Sequence, residues 1–313
     1  METGHIKVAL IGAGMVGMSF AYTAIAQGVC TELVILDIDE EMAHGEALDL
    51  QHAVPFFSKN TTVYAGDYRN CTDVDVAVIT AGKSQLPGES RLDLVQKNAE
   101  VMRSIITSLM ASGFSGIIVV ATNPVDVMSY IAMKASNLGP QKVFGSGTSL
   151  DSGRLRYALA EKLQVAPTSV HTYIIGEHGD SSLPTYSSST IGGKPLLDFV
   201  EEGIISEEDL ENAYTYVRDA AQEIIKRKKA TYYGIGAALA KIVQAVVRDE
   251  KIVLPIGTYL DGEYGERDIY IGVPAVLGKD GVERIIEIPL SADEKERFSA
   301  SCNILRSVMQ TVV

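Results

Sequence analysis

Short, continuous apolar runs recur through the first half of the chain and are separated by helix-length segments. The runs do not alternate between polar and apolar positions, so they predict strands that are covered on both faces. The six predicted strands span 6–12, 33–39, 61–66, 74–80, 116–122 and 142–147. The predicted helices span 15–28, 41–54, 92–112 and 126–137. This order predicts an α/β fold with a doubly wound, six-stranded parallel sheet.

The pattern changes after residue 147 and predicts a second domain. Residues 151–165 are helical in pattern, and "SVHTYIIGEHGDS" reads as a strand that runs into a loop. Capping signals at Ser206 and Ser291 open a long helical region and a last helix. Hairpin-like strands are predicted at 252–260, 269–276 and 282–288. The apolar stripe predicted for the long helix comprises Leu210, Tyr214, Val217, Ala221 and Ile224. We expect two closely packed domains, 1–147 and an α+β domain, 148–313.

Composition excludes several classes of partner. The 313 residues carry a formal net charge of −13, a field that repels nucleic acid and anionic membrane surfaces. No stretch approaches the roughly 18 apolar residues of a membrane helix, and the N-terminus lacks the features of a signal peptide. The three cysteines are far apart and outside any CxxC spacing. This favours reduced thiols in a cytoplasmic protein over disulfides or a metal site.

A glycine motif predicts a dinucleotide site. Gly12, Gly14 and Gly17 form "GAGMVG" where the first strand meets the first helix. In this context they allow a tight turn, close approach of a pyrophosphate and close packing of helix on strand, as in Rossmann domains. Asp37, 20 residues after Gly17, ends the second strand. There its carboxylate can accept hydrogen bonds from a ribose. No cation follows in 38–42 to receive a 2′-phosphate, so NAD is favoured over NADP.

A histidine and two charged residues suggest the chemistry. His178 lies between turn residues in "IGEHGDS", and Asp151 and Arg154 are three apart on one predicted helix, so they share a face. An Asp can hold an imidazole and stabilise its protonated form, and an Arg can bind a carboxylate with two hydrogen bonds. Together with NAD, these groups suit the reduction of a 2-oxo acid. On spacing alone, Asp151 and Arg154 could equally form only an intrahelical ion pair.

Motifs along essentially the whole chain make the sequence resemble the bacterial-type L-lactate dehydrogenases of the lactate/malate dehydrogenase superfamily. The motifs are "GAGMVG", "LDID", "AGKSQLPGESRLDLVQKN", "VVATNPVDV", "GSGTSLDSGRLR", "IIGEHGDSS", "KKATYYGIG" and "YGERDIYIGVPAVLG". The resemblance implies a cytoplasmic homotetramer of fermentative glycolysis that converts pyruvate and NADH to (S)-lactate and NAD. Residues 1–147 would bind NAD, and 148–313 would bind substrate and carry catalysis.

The resemblance also implies roles for individual residues. His178 would donate the proton, with Asp151 as its partner, and Arg91 would polarise the carbonyl. Substrate contacts are implied for Gln85, Arg91, Asn123, Arg154 and Thr231, and the Asn123–Pro124 bond is expected to be cis. The implied cofactor-binding residues are Gly12, Gly14, Val16, Gly17, Asp37, Tyr68, Gly82, Lys83, Ser104, Thr122, Asn123 and Ser146.

The loop "AGKSQLPGESR" at 81–91 is expected to close on the substrate. Gln85 would face the methyl group of pyruvate, whereas the second carboxylate of oxaloacetate would meet Gln85 without a compensating charge. Lys83 lies two residues before Gln85, and we expect it to lean toward the cofactor or solvent, although an extended loop would put both on one side.

Arg156 and His171 match the bacterial family's site for fructose 1,6-bisphosphate, at an interface between two subunits. Arg156 follows Arg154 by two residues, about 200° around the helix, and so faces away from the active site. The alternative is an ordinary surface Arg and His.

Three other functions are alternatives to this interpretation. Malate dehydrogenase shares the fold and chemistry but acts on a dicarboxylic acid. An NAD-dependent glycosidase of the superfamily would need a metal-binding Cys and His, and the three cysteines lie outside the motifs. A redox sensor that only binds NAD would need neither His178 nor its charged neighbours.

Overall fold

The computed structural model describes residues 4–83 and 91–312, and of Arg91 only the backbone. Gln85 and the rest of the predicted closing loop therefore lie outside the described residues. Within the described ranges, no helix combines the length and the apolar character needed to cross a bilayer.

The first half of the chain forms the predicted doubly wound sheet. Its strands are β1 (Lys7–Ile11), β2 (Glu32–Leu36), β3 (Thr62–Ala65), β4 (Val76–Ile79), β5 (Ile117–Val120) and β6 (Val143–Gly145). Its helices are α1 (Met15–Ala26), α2 (Glu40–Ala53), α3 (Arg91–Ala111) and α4 (Val125–Ser136). The strands pair in parallel in the order β3-β2-β1-β4-β5-β6. β1, β4 and β5 are buried along their whole length, as their continuous apolar runs predicted.

The second half contributes short strands, long helices and a hairpin layer. In chain order its first elements are α5 (Ser149–Leu163), β7 (Val170–His171), β8 (Ile174–Ile175), β9 (Leu183–Pro184), β10 (Thr190–Ile191), β11 (Lys194–Pro195) and α6 (Leu196–Glu201). They are followed by α7 (Glu207–Lys228), α8 (Tyr233–Val247), β12 (Ile252–Asp261), β13 (Arg267–Gly278), β14 (Gly281–Ile285) and α9 (Ala292–Met309). Capping boxes at Ser206 and Ser291 open α7 and α9, as predicted.

Two details differ from the prediction. The predicted sheet has six strands, whereas the central sheet of the described residues has nine, because β12 pairs antiparallel with β6 through Gly257 and Gly145 and adds the hairpin strands to it. The stripe of α7 also drifts by one position. Ala220 is buried, whereas Ala221 and Ile224 are only half-buried, because the face of the helix that meets α5 is set by packing.

Candidate active site

The glycine motif forms a tight turn that leaves room beside the backbone. Gly12 has φ of 109°, a conformation that favours glycine. A Cβ at Gly17 would lie 2.1 Å from the Gly12 carbonyl oxygen, so only glycine lets α1 pack this closely on β1. Gly14 is the N-cap of α1, and a Cβ there would meet nothing within 4 Å. The helix N-terminus thus faces open space, which suits a pyrophosphate.

Asp37 lies at the end of β2 and is tied to this turn. Its Oδ2 accepts a hydrogen bond from the Ala13 N–H at 2.7 Å, and its Oδ1 accepts one from the Asp39 N–H at 3.0 Å. Each carboxylate oxygen keeps a lone pair for a further donor. These residues fit an NAD molecule, with the adenosine ribose at Asp37 and the diphosphate at the helix N-terminus.

His178 and Asp151 form a close acid–base pair. The Nδ1 atom of His178 lies 2.6 Å from Oδ2 of Asp151, while Oδ1 of Asp151 accepts a hydrogen bond from the Arg154 guanidinium at 3.1 Å. α5 carries both charged residues, and the loop after β8 brings His178 to them. Asp151 is therefore shared between the imidazole and the guanidinium, so the intrahelical ion pair and the histidine contact exist together. His178 keeps its other ring nitrogen, Nε2, for a ligand.

The charge of Asp151 changes the basicity of the histidine. Its attraction raises the pKa of His178 to about 9, against the opposing effects of burial and of Arg154. Burial would raise the pKa of Asp151, but the charges and hydrogen bonds of His178 and Arg154 outweigh it and hold that pKa below its usual value. The imidazole is thus protonated at neutral pH, which is the form a proton donor needs.

The histidine opens into a cleft of about 800 Å³, a volume typical of small-molecule sites. The cleft lies between the starts of α3 and α4, the His178 loop and the end of α9. Asn123 is exposed in it, and the Asn123–Pro124 bond is cis, as predicted. The described lining residues are Leu92, Leu94, Val95, Asn123, Pro124, Val127, Glu177, His178, Asp180, Ser181, Ile304, Leu305, Ser307, Val308 and Thr311.

Asn98 is a site residue that sequence reasoning missed. Its side chain is buried, and its Oδ1 accepts a hydrogen bond from the Lys83 N–H at 2.8 Å. Its Nδ2 donates to the Asn123 carbonyl at 2.9 Å. Asn98 therefore joins the segment after β4 that precedes 84–90 to the segment that presents Asn123. Its signal was an amide between Val95 and Ala99, on the buried face of α3.

The other predicted site residues occupy varied positions. Thr122 and Ser146 are buried at the ends of β5 and β6, Val16 and Tyr68 are half-buried, and Gly82, Lys83 and Ser104 are exposed. Thr231 lies between α7 and α8 and, like Arg154, is not among the described residues that line the cleft. Gln85 and the side chain of Arg91 lie outside the described residues.

Arg156 lies on α5, two residues after Arg154, and contacts the segment that follows β7. Its Nε donates to the carbonyl of Thr172 at 3.3 Å, and its guanidinium lies over the Tyr173 ring, 5.4 Å from the centroid. His171 is exposed and is the neighbour of Thr172. The structure thus brings Arg156 to the strand that carries His171.

No group of three or more His, Cys, Asp or Glu side chains is arranged to hold a metal ion within 4–83 and 92–312. The cysteines Cys30, Cys71 and Cys302 are buried free thiols. A dinucleotide turn at one end of the sheet and a protonated histidine in the neighbouring cleft can together move a hydride and a proton. The fold and the site thus define a nicotinamide-dependent oxidoreductase.

The chain belongs to the lactate/malate dehydrogenase family. Residues 6–145 match the family model of the NAD binding domain, and residues 148–313 match that of the alpha/beta C-terminal domain. The cofactor is therefore NAD.

Similar proteins cover the full chain. L-lactate dehydrogenase 1 and L-lactate dehydrogenase 2 of Bacillus cereus are each 48% identical to it over 314 residues, with 100% of both chains covered. Among solved structures, the minor L-lactate dehydrogenase of Enterococcus mundtii in its ligands-bound form is 47% identical and superposes with a TM-score of 0.98 over 99% of each chain. A lactate dehydrogenase from a deep-sea metagenome library, also 47% identical, has a TM-score of 0.97 over 98% of this chain and 99% of its own.

Proposed function

We propose that the protein is an L-lactate dehydrogenase, which reduces pyruvate with NADH to (S)-lactate and NAD in a reversible reaction. The observation that carries the proposal is the contact of 2.6 Å between His178 and Asp151 beside a cleft that also exposes Asn123. The names of the full-length relatives support the choice of lactate.

Each residue of the site has a distinct part in this reaction. NADH, when bound, would supply the hydride for the ketone carbon. His178 gives the Nε2 proton to the ketone oxygen, and Asp151 stabilises the imidazolium before transfer and fixes its ring through Nδ1. Asn123 donates a hydrogen bond to the same oxygen. Arg154 binds the carboxylate, because a guanidinium matches its geometry. In the reverse direction, neutral His178 accepts the hydroxyl proton of lactate.

Three further substrate contacts are proposed from the sequence. Arg91 would polarise the carbonyl, Thr231 would shape the pocket, and Gln85 would face the methyl group of pyruvate. A cation at position 85 would lack a partner in the closed site, which costs several kcal/mol. Oxaloacetate would instead bring a second carboxylate to Gln85, with Glu89 adding repulsion.

The alternative, a malate dehydrogenase, is distinguished by substrate preference. We expect wild-type kcat/KM to favour pyruvate over oxaloacetate and Gln85→Arg to reverse or greatly narrow that preference. Pairing the second carboxylate of oxaloacetate with a cation is worth about 3–5 kcal/mol, which corresponds to a change of about two to three decades in kcat/KM. The measurement is steady-state kcat/KM for both acids in both proteins. A wild-type preference for oxaloacetate would favour a malate dehydrogenase and point to Lys83 as the cation that meets the second carboxylate.

Regulation by fructose 1,6-bisphosphate is proposed at Arg156 and His171. Arg156 lies about 200° around α5 from Arg154 and donates to the carbonyl of Thr172, the residue after His171. Two copies of this pair facing each other in a homotetramer would hold the two phosphates. The expected coupling is roughly 1–3 kcal/mol. Activation of pyruvate reduction by the bisphosphate should be lost in the double variant Arg156→Leu with His171→Leu. Unaltered activation in that variant would show that the effector binds elsewhere.

The domain division is also a proposal: 1–147 for NAD and 148–313 for substrate and catalysis. A cytoplasmic location follows from the proposed role in fermentative glycolysis, and fractionation of the source cells would test it.

A further inference from the structure

Asp126 is a charged residue buried beneath the active site, and sequence reasoning assigned it no part. It is the second residue of α4 and is only 2% exposed. Its Oδ2 accepts a hydrogen bond from the backbone N–H of His178 at 2.9 Å. Its Oδ1 is buried and has no hydrogen-bond partner among the described residues. Burial of a carboxylate with one unpaired oxygen carries a desolvation cost. Its presence therefore calls for an explanation.

The surrounding backbone leaves space for this carboxylate. A Cβ added at Gly257 of β12 would lie 2.9 Å from Oδ1 of Asp126. The same added Cβ would lie 3.5 Å from the Cα of Gly147 and 3.6 Å from the Cα of Gly145. The missing side chain of Gly257 thus leaves room beside Oδ1, where a larger residue would press against the acid and the 145–147 segment. An Asn or a Ser would place a neutral acceptor in this region at lower desolvation cost, so the hydrogen bond alone does not account for the charge.

The connection made by Asp126 joins two parts of the site. Asn123 lies three residues before Asp126, at the start of α4, and His178 lies on the loop after β8. The hydrogen bond from His178 to Asp126 therefore couples the two residues that are proposed to contact the ketone oxygen. The neighbouring loop residue, Glu177, is held differently: its N–H donates to the hydroxyl of the buried Ser301 on α9 at 2.9 Å.

The titratable groups that interact with Asp126 lie on α5, on the His178 loop and on α9. Burial raises the pKa of its carboxyl to about 7, with smaller contributions from Glu177 and Asp151, while the His178 N–H and ring act in the opposite direction. On α9, burial is the main cause that raises the pKa of the Cys302 thiol, and Asp126 adds to it. After Asp151, Asp126 is the second carboxylate whose charge favours protonated His178.

We propose that Asp126 is a positioning residue for His178, which fixes the backbone of its loop and provides a second buried negative charge that keeps the ring protonated. The proposal rests on the proposed function, in which His178 is the proton donor to pyruvate. Asp126 touches neither substrate nor cofactor in this scheme and acts only through His178.

The test compares pH profiles of kcat/KM for pyruvate in four proteins: wild type, Asp126→Asn, Asp126→Ala and Ser301→Ala. Asp126→Asn keeps the shape and an acceptor but removes the charge, and Asp126→Ala removes both. Ser301→Ala is the matched control, because it removes a neutral anchor from the adjacent backbone N–H. Melting curves and fluorescence titration with NADH check folding and cofactor binding in every variant.

Both charge-free variants should lower the midpoint of the alkaline limb by about 0.5–1 pH unit, since a nearby anion stabilises the imidazolium. A one-unit shift from about 9 lowers the protonated fraction at pH 9 about five-fold. The loss of kcat/KM relative to wild type should shrink toward pH 6, where Asp126 itself is protonated. Ser301→Ala should lower kcat/KM at every pH and leave the midpoint of the alkaline limb unchanged.

Wild-type midpoints in both Asp126 variants, or an equal shift in Ser301→Ala, would overturn the proposal, because Asp126 would then be only a structural anchor. A wild-type enzyme without pyruvate reduction would instead overturn the proposed function, so the two failures are distinguishable. If Asp126→Asn does not fold, Asp126→Ala provides the same comparison, since both lack the charge.

Discussion

Replacing Asp151 by Asn removes the main charge that acts on His178 while preserving shape. Asp151 now accepts from two groups, with Oδ2 at 2.6 Å from Nδ1 of His178 and Oδ1 bonded to Arg154 at 3.1 Å. An Asn has one acceptor and one donor at these positions. Its amide NH₂ must therefore face either the protonated Nδ1 or the guanidinium, and one of these contacts becomes a contact between two donors.

The expected loss of kcat/KM in Asp151→Asn follows from the pKa of His178. The pKa of His178 is raised from an ordinary 6.5 to about 9, and a difference of about 2.5 units corresponds to roughly 3.4 kcal/mol. If Asp151→Asn returned the pKa to its ordinary value, the protonated fraction at pH 8 would fall from about nine-tenths to about 3%. We therefore expect roughly a 30-fold loss of pyruvate kcat/KM at pH 8 from charge alone. Misorientation of the ring would add to it.

The assay is NADH oxidation at 340 nm in steady state with pyruvate as substrate, from pH 6 to pH 9, with the binding constant of NADH measured separately by fluorescence. The deficit of Asp151→Asn should be smallest at pH 6, where the ring is protonated even with an ordinary pKa, and should grow toward pH 8. NADH affinity should change little. A deficit that is constant across this range would refute the electrostatic reasoning, since it would indicate a loss of geometry only.

In wild type, kcat/KM for pyruvate should fall about ten-fold per pH unit above about pH 9, because the raised pKa of His178 favours the protonated ring and this advantage is lost as pH rises through it; a flat profile to pH 10 would contradict this. Gly17→Ala should destabilise the fold by about 1–3 kcal/mol and weaken NADH binding at least ten-fold, seen in melting curves and fluorescence titration, since its Cβ would lie 2.1 Å from the Gly12 oxygen; the control Gly45→Ala, which meets nothing within 4 Å, should be neutral or slightly stabilising. Asn98→Ala should lower pyruvate kcat/KM roughly ten-fold, because leaving the Asn123 carbonyl and the Lys83 N–H unpaired costs about 1–3 kcal/mol, and unchanged kinetics would contradict its place in the site.

The sequence predicts best what depends on local pattern. The six parallel strands are continuous apolar runs, and the dinucleotide turn has a fixed glycine spacing. The capping boxes of α7 and α9 each connect a Ser with the acidic residue three positions later. Each of these signals is complete within a few residues.

The pairing of His178 with Asp151 was predicted only from the resemblance to a known family, because the two residues are far apart in the sequence. The distance of 2.6 Å between Nδ1 and Oδ2 is known only from the fold.

What the sequence did not predict depends on single long-range contacts. β12 joins the central sheet through one pair of glycines, Gly257 and Gly145, and no local pattern marks that contact. Asp126 and Asn98 are polar residues within helices, and a polar residue in a helix usually faces solvent or a neighbouring polar group. Their roles depend on the N–H of His178 and the carbonyl of Asn123, which are 52 and 25 residues away.

The most direct test of the account is the pyruvate kinetics of His178→Ala in the presence of NADH. The account predicts that kcat falls roughly 100- to 10,000-fold, as expected for the loss of a general acid. It also predicts an NADH dissociation constant close to that of wild type, because the glycine turn and Asp37 lie apart from the His178 loop. Turnover of pyruvate near the wild-type rate in His178→Ala would contradict the assignment of the proton donor, and with it the mechanism.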